Sequence, residues 1–248
     1  MRLRAYRFCV AFAIAALVFP FSLELLAART IPPLFVLAPG GNSIKPVDSG
    51  WREVSDWLVG RKYAVLTFDD GPYGHGVDEH IIGILRKHHA HAVFFLVCSH
   101  ITDSTEPVLD ELKENGDLIG NHSFDHLKLT YLQEADLQHE IDGCSQLLAK
   151  LSGRRPYYFR PPFGMTSPLV TQSVHAAGMK QMLWNANSED SWMTKPEQIL
   201  YWSLEETDNH SILLLHDKPA TAAVLDQVLT QLEQRGFQFV LPDHPPFK

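Results

Sequence analysis

Two adjacent carboxylates, Asp69 and Asp70, stand where an apolar run, Tyr63-Ala64-Val65-Leu66, gives way to Gly71-Pro72. The run reads as a short buried strand and Gly-Pro as an enforced turn. Along a strand, neighbouring side chains point to opposite faces. At a tight turn both carboxylates can reach one cavity, one to hold a metal and one to accept a proton. Taken alone, Asp-Asp-Gly-Pro is also ordinary turn chemistry. In Asn121-His122-Ser123-Phe124-Asp125-His126, two imidazoles lie four residues apart and share a face if the segment makes a helical turn. With Asp70 they make a two-histidine, one-carboxylate set that leaves metal positions open for water and a substrate oxygen. Asp125 reads as a local hydrogen-bonding residue.

Three more stretches join these. Phe159-Arg160-Pro161-Pro162-Phe163-Gly164 sets a guanidinium beside a stiffened backbone, where it can pair with one aspartate. Trp184-Asn185-Ala186-Asn187-Ser188-Glu189-Asp190-Ser191-Trp192 is a polar and aromatic loop suited to a sugar or acyl group. Leu213-Leu214-Leu215-His216-Asp217 ends an apolar strand on a histidine. Each is unremarkable in isolation: a rigid turn, a loop with packing tryptophans, a structural histidine. Together they fit metal-assisted hydrolysis of an amide or ester. The metal would polarise the carbonyl and activate water, a carboxylate would take the water's proton, and an imidazolium would give one to the leaving nitrogen.

The elements that must position these groups alternate. Apolar strand-like runs are expected at 63–66, 92–97, 117–120, 157–159, 180–184, 212–215 and 237–240, with helices at 77–87, 106–115, 132–151, 168–177, 196–206 and 221–235. In the third helix Leu137, Ile141, Cys144, Leu148 and Leu151 form one apolar face. Thr130 with Gln133 predicts a capping box, and Gly153 a stop. Strand–helix alternation argues for a parallel α/β fold. About seven strands in one modest domain suit a closed or nearly closed barrel, with polar strand ends facing a common site.

Composition bounds the function. The 248 residues carry a formal net charge of −8, and no basic stripe points to nucleic acid. Arg2, Arg4 and Arg7 precede an apolar run over 8–21, followed by Ala27-Ala28, the pattern of a secretory signal peptide. Residues 1–28 are therefore expected to be a signal peptide or an uncleaved N-terminal anchor. Residues 29–60 read as a leader laid against the domain, with a short helix over 51–59 in which Trp51 and Trp57 pack. The catalytic domain is expected over 61–248. Cys98 ends an apolar strand and Cys144 sits on an apolar helix face. Export permits a disulfide between them, but two small buried hydrophobes is the favoured reading.

The five stretches, in this order, resemble the five motifs of the NodB-type polysaccharide deacetylases, carbohydrate esterase family four. The resemblance runs from about Tyr63 to Val240. It implies a deformed (β/α) barrel of about seven parallel strands, the NodB homology domain. It implies Asp69 as catalytic base, Arg160 as its orienting partner, and Asp70, His122 and His126 as ligands of a divalent metal. Zinc is the first expectation, with cobalt, nickel and manganese as alternatives. It implies the backbone N–H of Phe163 as oxyanion donor, His216 as general acid tuned by Asp190, and Trp192 and Leu214 as walls of the acetyl pocket. The fourth stretch departs from the family's Asp-Ser-x-Asp-Trp, having Asn187 for the first Asp and Trp192 displaced by one position.

The implied activity is removal of N-acetyl groups from amino sugars of an exported glycan, whether peptidoglycan, a chitin-like oligomer or an exopolysaccharide. No stable protein partner is implied. Rival readings are an O-acetyl xylan esterase, a hydrolase of small cyclic amides, and an inactive glycan-binding module. The export pattern opposes the second and the intact core set opposes the third. Of the other histidines, His88, His89 and His91 read as a solvated turn, His75 and His80 as exposed loop residues. His100, His139, His175, His210 and His244 show no recognisable chemistry.

Overall fold

The computed structural model describes residues 34–47 and 58–244. The signal-type segment, most of the helix expected over 51–59, and its two tryptophans lie outside the described residues. The fold belongs to one compact unit, Phe35–Lys45 with Lys62–Lys248. Strands β1 (Phe35–Leu37) and β2 (Ile44–Pro46) form a small two-stranded sheet. The main sheet holds β3 (Lys62–Gly71), β4 (Ala92–Leu96), β5 (Leu118–Asn121), β6 (Tyr158–Phe159), β7 (Lys180–Gln181), β8 (Ala186–Asn187), β9 (Ser211–His216) and β10 (Phe237–Phe239). Seven of these run in the order β7-β6-β5-β4-β3-β9-β8, and β10 pairs with the start of β3. Every pairing in this sheet is parallel, and the seven-strand path curls into a half-barrel.

Among the described residues, six α-helical segments lie between the strands of the main sheet: α1 (Val77–Lys87), α2 (Val108–Asn115), α3 (134–152), α4 (Pro168–Ala176), α5 (Pro196–Glu206) and α6 (Pro219–Gln234). Segment α3 is continuous but widened, running as Glu134–Gln138, a π-turn His139–Gly143, and Cys144–Ser152. Gly153 stops it with φ 78°, a left-handed conformation open to glycine at little cost. The expected capping box is not formed. Thr130 belongs to a separate 3₁₀ turn, its hydroxyl has no hydrogen-bond partner, and Gln133 caps without a side-chain bond.

Strand phase decides what reaches the site. Ala64, Leu66 and Phe68 of β3 enter one core with Leu213 and Leu215 of β9, packed under α1, α2 and α6. Tyr63 and Val65 enter the other with Val93, Phe95, Ile212 and Met182, inside the curl of the sheet. The period of two then carries Thr67 and Asp69, and likewise Leu214 and His216, onto the inner face. Asp69 and His216 are register partners. Gly120, on the inner face of β5, is required by space: a Cβ there would lie 2.5 Å from Phe95 Cδ1.

Cys98 and Cys144 are disulfide-bonded, with Cα atoms 5.5 Å apart. This corrects the reading of two separate buried thiols. The end of β4 and the apolar stripe of α3 meet in one core, and that meeting places the sulfurs together. The bond closes a loop across a sequence separation of 46. Replacing both cysteines with alanine is expected to lower unfolding stability by about 2–4 kcal/mol, measured by urea denaturation under non-reducing conditions.

Candidate active site

The five stretches converge at the C-terminal ends of the parallel strands. Asp69 and Asp70 end β3, His122 follows β5, Arg160 follows β6, Asp190 follows β8, and His216 ends β9. Asp70 is where β3 departs from regularity. The β3–β4 register passes from Asp69↔Phe95 to Gly71↔Leu96, so Asp70 is the extra residue of a bulge, with φ 69°. Glycine at 71 is needed because a Cβ would fall 2.1 Å from Asp217 Oδ2.

Asp70, His122 and His126 offer donor atoms within 4.8 Å of one another. Asp70 Oδ1 lies 3.2 Å from His126 Nε2 and 3.6 Å from His122 Nε2. It is a buried oxygen with no hydrogen-bond partner among the described residues, an arrangement that costs stability unless something else fills it. His122 Nδ1 sits 2.7 Å from the Arg160 carbonyl, which can only accept, so Nδ1 carries the proton and Nε2 keeps its lone pair. Burial drives the His122 pKa down to about 3, against the pull of Asp70, and burial lowers His126 also. Neutral imidazoles facing an unpartnered carboxylate oxygen fit a divalent cation. The loop that carries them is braced by Glu140 of the α3 π-turn, whose Oε2 accepts from Phe124 N at 3.1 Å and Asp125 N at 3.0 Å.

Beside this set lie two charge pairs. Asp69 Oδ1 accepts from Arg160 Nη1 at 2.8 Å, and its Oδ2 is 3.6 Å from His122 Nε2. Arg160 is fully buried. Its other donors reach Thr67 Oγ1 at 2.7 Å and the carbonyls of Met182 and Leu183, while Phe95 and Trp184 lie within cation–π distance at 4.3 and 5.5 Å. Burial pushes the Asp69 carboxyl above its ordinary pKa although Arg160 and His216 pull it back. Asp190 Oδ1 is 2.6 Å from His216 Nδ1, and its Oδ2 accepts from His216 N at 2.8 Å and Thr221 Oγ1 at 2.6 Å. Burial opposes both charges of this pair, yet the mutual hydrogen bond prevails: Asp190 falls below its ordinary value and His216 rises above. His216 Nε2 points back toward Asp70 Oδ2, 4.0 Å away.

Phe163 has φ 60°, is half exposed, and sets its ring 4.7 Å from that of His126. Leu214 is buried on the same face of β9 as His216. Trp192 is 68 % exposed, its indole N–H donating to Glu189 Oε2 at 2.5 Å. Sequence reasoning missed Glu140, Thr221 and the 2.8 Å contact of His100 Nδ1 with the Asp70 carbonyl. Glu140 carried a signal: it lies three residues past Leu137 and four before Cys144, on the apolar stripe of α3. His100 and Thr221 carried none. The second group with metal-like spacing, Asp125, His139 and Glu140, is accounted for by Glu140's bonds to the loop amides.

Residues 59–182 match the polysaccharide deacetylase family. The peptidoglycan-N-acetylglucosamine deacetylase PgdA of Listeria monocytogenes is 32% identical over 184 residues, covering 73% of this chain and 38% of that protein. The peptidoglycan-N-acetylmuramic acid deacetylase PdaC of Bacillus subtilis is 30% identical over 181 residues, with coverage of 73% and 38%. The chain thus spans 38% of the length of these two curated relatives. The solved structure of B. subtilis PdaC superposes with a TM-score of 0.67 at 28% identity, over 72% of this chain and 87% of that one.

The Arg160–Asp69 pair gives a stability test. Arg160→Met strands a buried carboxylate and is expected to cost roughly 3–5 kcal/mol in urea unfolding. Adding Asp69→Asn in the same chain is expected to recover part of that loss.

Proposed function

The chain belongs to the polysaccharide deacetylase family, and on that premise we propose that it hydrolyses the acetamide of N-acetylated amino sugars in peptidoglycan, releasing acetate. One observation carries the reading. A neutral two-histidine, one-carboxylate set lies between a buried carboxylate–guanidinium pair and a buried carboxylate–imidazole pair of raised basicity. The names of the two curated relatives support peptidoglycan as the glycan. The disulfide and the N-terminal Arg-rich and apolar pattern support an exported protein, since disulfides persist in oxidising compartments.

Asp70, His122 and His126 would hold a divalent ion, zinc by the chemistry of the donor set. Bound there, such an ion supplies Lewis-acid polarisation of the acetyl carbonyl. Asp69 accepts the proton of the attacking water. Arg160 fixes Oδ1, leaving Oδ2 on the side of His122, and burial makes the carboxylate a stronger base than one in solvent. His216 donates from Nε2 to the leaving nitrogen, because Asp190 holds Nδ1 and sustains the imidazolium. The backbone N–H of Phe163 steadies the oxyanion, and Leu214 with Trp192 bounds the acetyl methyl.

The test is acetate release from peptidoglycan, from N-acetylglucosamine oligomers and from acetyl xylan, before and after zinc addition. Zinc-dependent release from the first two is expected. Release from acetyl xylan alone would make the protein an O-acetyl esterase, and glycan binding without turnover a binding module. Asp69→Asn is expected to reduce turnover by about a hundred- to ten-thousand-fold.

The pH dependence has a definite sign. His216 acts while protonated, and Asp190 raises its pKa. Asp190→Asn removes that support, so the alkaline limb of the kcat/KM profile is expected to move to lower pH. The displacement is read from paired pH–rate profiles of the zinc-loaded wild type and variant.

A further inference from the structure

Asp70 is the ligand of the cluster whose own backbone has left the sheet. As the extra residue of the β3 bulge it sits between the ladder positions Asp69 and Gly71, and its φ of 69° is a conformation that non-glycine residues seldom take. A carbonyl turned out of its ladder needs another donor. His100 provides one, with Nδ1 2.8 Å from Asp70 O. The carbonyl can only accept, so the ring is the Nδ1–H tautomer at this contact.

We propose that His100 is a positioning residue for the metal-binding cluster: its Nδ1–H···O=C bond holds the bulged backbone of Asp70 so that Oδ1 faces Nε2 of both His122 and His126. This rests on the reading of those three residues as metal ligands. The segment carrying His100 is tied to the other half of the cluster. His100 closes the 3₁₀ turn Cys98–His100. In that turn Cys98 N and Ser99 N donate to the carbonyls of Ser123 and Phe124, inside the loop between His122 and His126. Cys98 is bonded to Cys144 of α3, and Thr105 Oγ1 donates to His100 O at 2.9 Å. One turn therefore grips the His122–His126 loop through its amides and Asp70 through an imidazole, fixing the spacing between carboxylate and imidazole ligands. The His100 side chain is exposed, so removing it opens no cavity in the core.

The experiment measures zinc affinity of the full chain by competition with a chromophoric chelator at fixed pH, for wild type, His100→Ala, His100→Asn and His122→Ala. The side-chain amide of asparagine can place an N–H near the position of Nδ1, whereas alanine cannot. Zinc binding by wild type and its loss in His122→Ala establish the site. His100→Ala is then expected to weaken zinc about tenfold, in the range of outer-shell substitutions. His100→Asn should bind zinc more tightly than His100→Ala, and both metal-free His100 variants should remain folded, with melting temperatures within about 4 °C of wild type. Wild-type affinity in His100→Ala would overturn the proposal, as would His100→Asn losing as much as His100→Ala. A wild type that binds no zinc would overturn the metal reading of the site and the role of His100 with it.

Discussion

A guanidinium with no exposed surface must find its hydrogen bonds inside the protein, and the site is assembled around the way Arg160 does so. Its side chain reaches Asp69 and Thr67 on β3 and the carbonyls of Met182 and Leu183 beyond β7. Its backbone N–H donates to the Asn121 carbonyl, and its backbone carbonyl accepts a hydrogen bond from His122 Nδ1–H. One residue thereby links the buried carboxylate to the tautomer of the neighbouring imidazole. Breaking such a pair leaves an uncompensated buried charge, so its geometry is tightly held. Gly120 belongs to the same arrangement, since its missing Cβ lets the Phe95 ring lie against the guanidinium.

The second charge pair is built differently. Asp190 reaches His216 through both oxygens, to Nδ1 and to the backbone N–H, and Thr221 at the start of α6 supplies a third donor. The altered fourth stretch does not disturb this. Asn187 Oδ1 accepts from Glu189 N, Glu189 turns with φ 61°, and the turn leaves Asp190 aimed at β9. Asn187 thus serves as a turn-forming side chain where the family pattern has an aspartate. Next to His216 in the chain, Asp217 is buried, and burial together with the carboxyl of Asp78 raises its pKa well above the ordinary range.

The alternation of apolar runs and amphipathic helices, the positions of Asp69, Asp70, His122, Arg160 and His216 at strand C-terminal ends, and the helix boundaries within a few residues were legible in the sequence. They are local: strands and helices announce themselves through periods of 2 and 3.6, and Gly or Pro marks their ends. The strand β8 was not legible, because two residues, Ala186 and Asn187, become a strand only by pairing with Leu213 and Leu214. The capping box at Thr130 was a local pattern that the chain does not use, the hydroxyl being carried away by a 3₁₀ turn.

The inventory of the site was therefore a property of the sequence by itself: two aspartates at a turn, two histidines four apart, an arginine, and a histidine at the end of an apolar strand. Tertiary structure alone decided how they are joined. Arg160 and Asp69 are 91 positions apart, Asp190 and Thr221 31, and Cys98 and Cys144 46. Parallel pairing needs a crossover between neighbouring strands, so residues that meet at the strand ends are separated by whole helices. The tautomer of His122, the left-handed turn at Asp70 and the imidazole of His100 that meets its carbonyl arise from those meetings, and no local period encodes them.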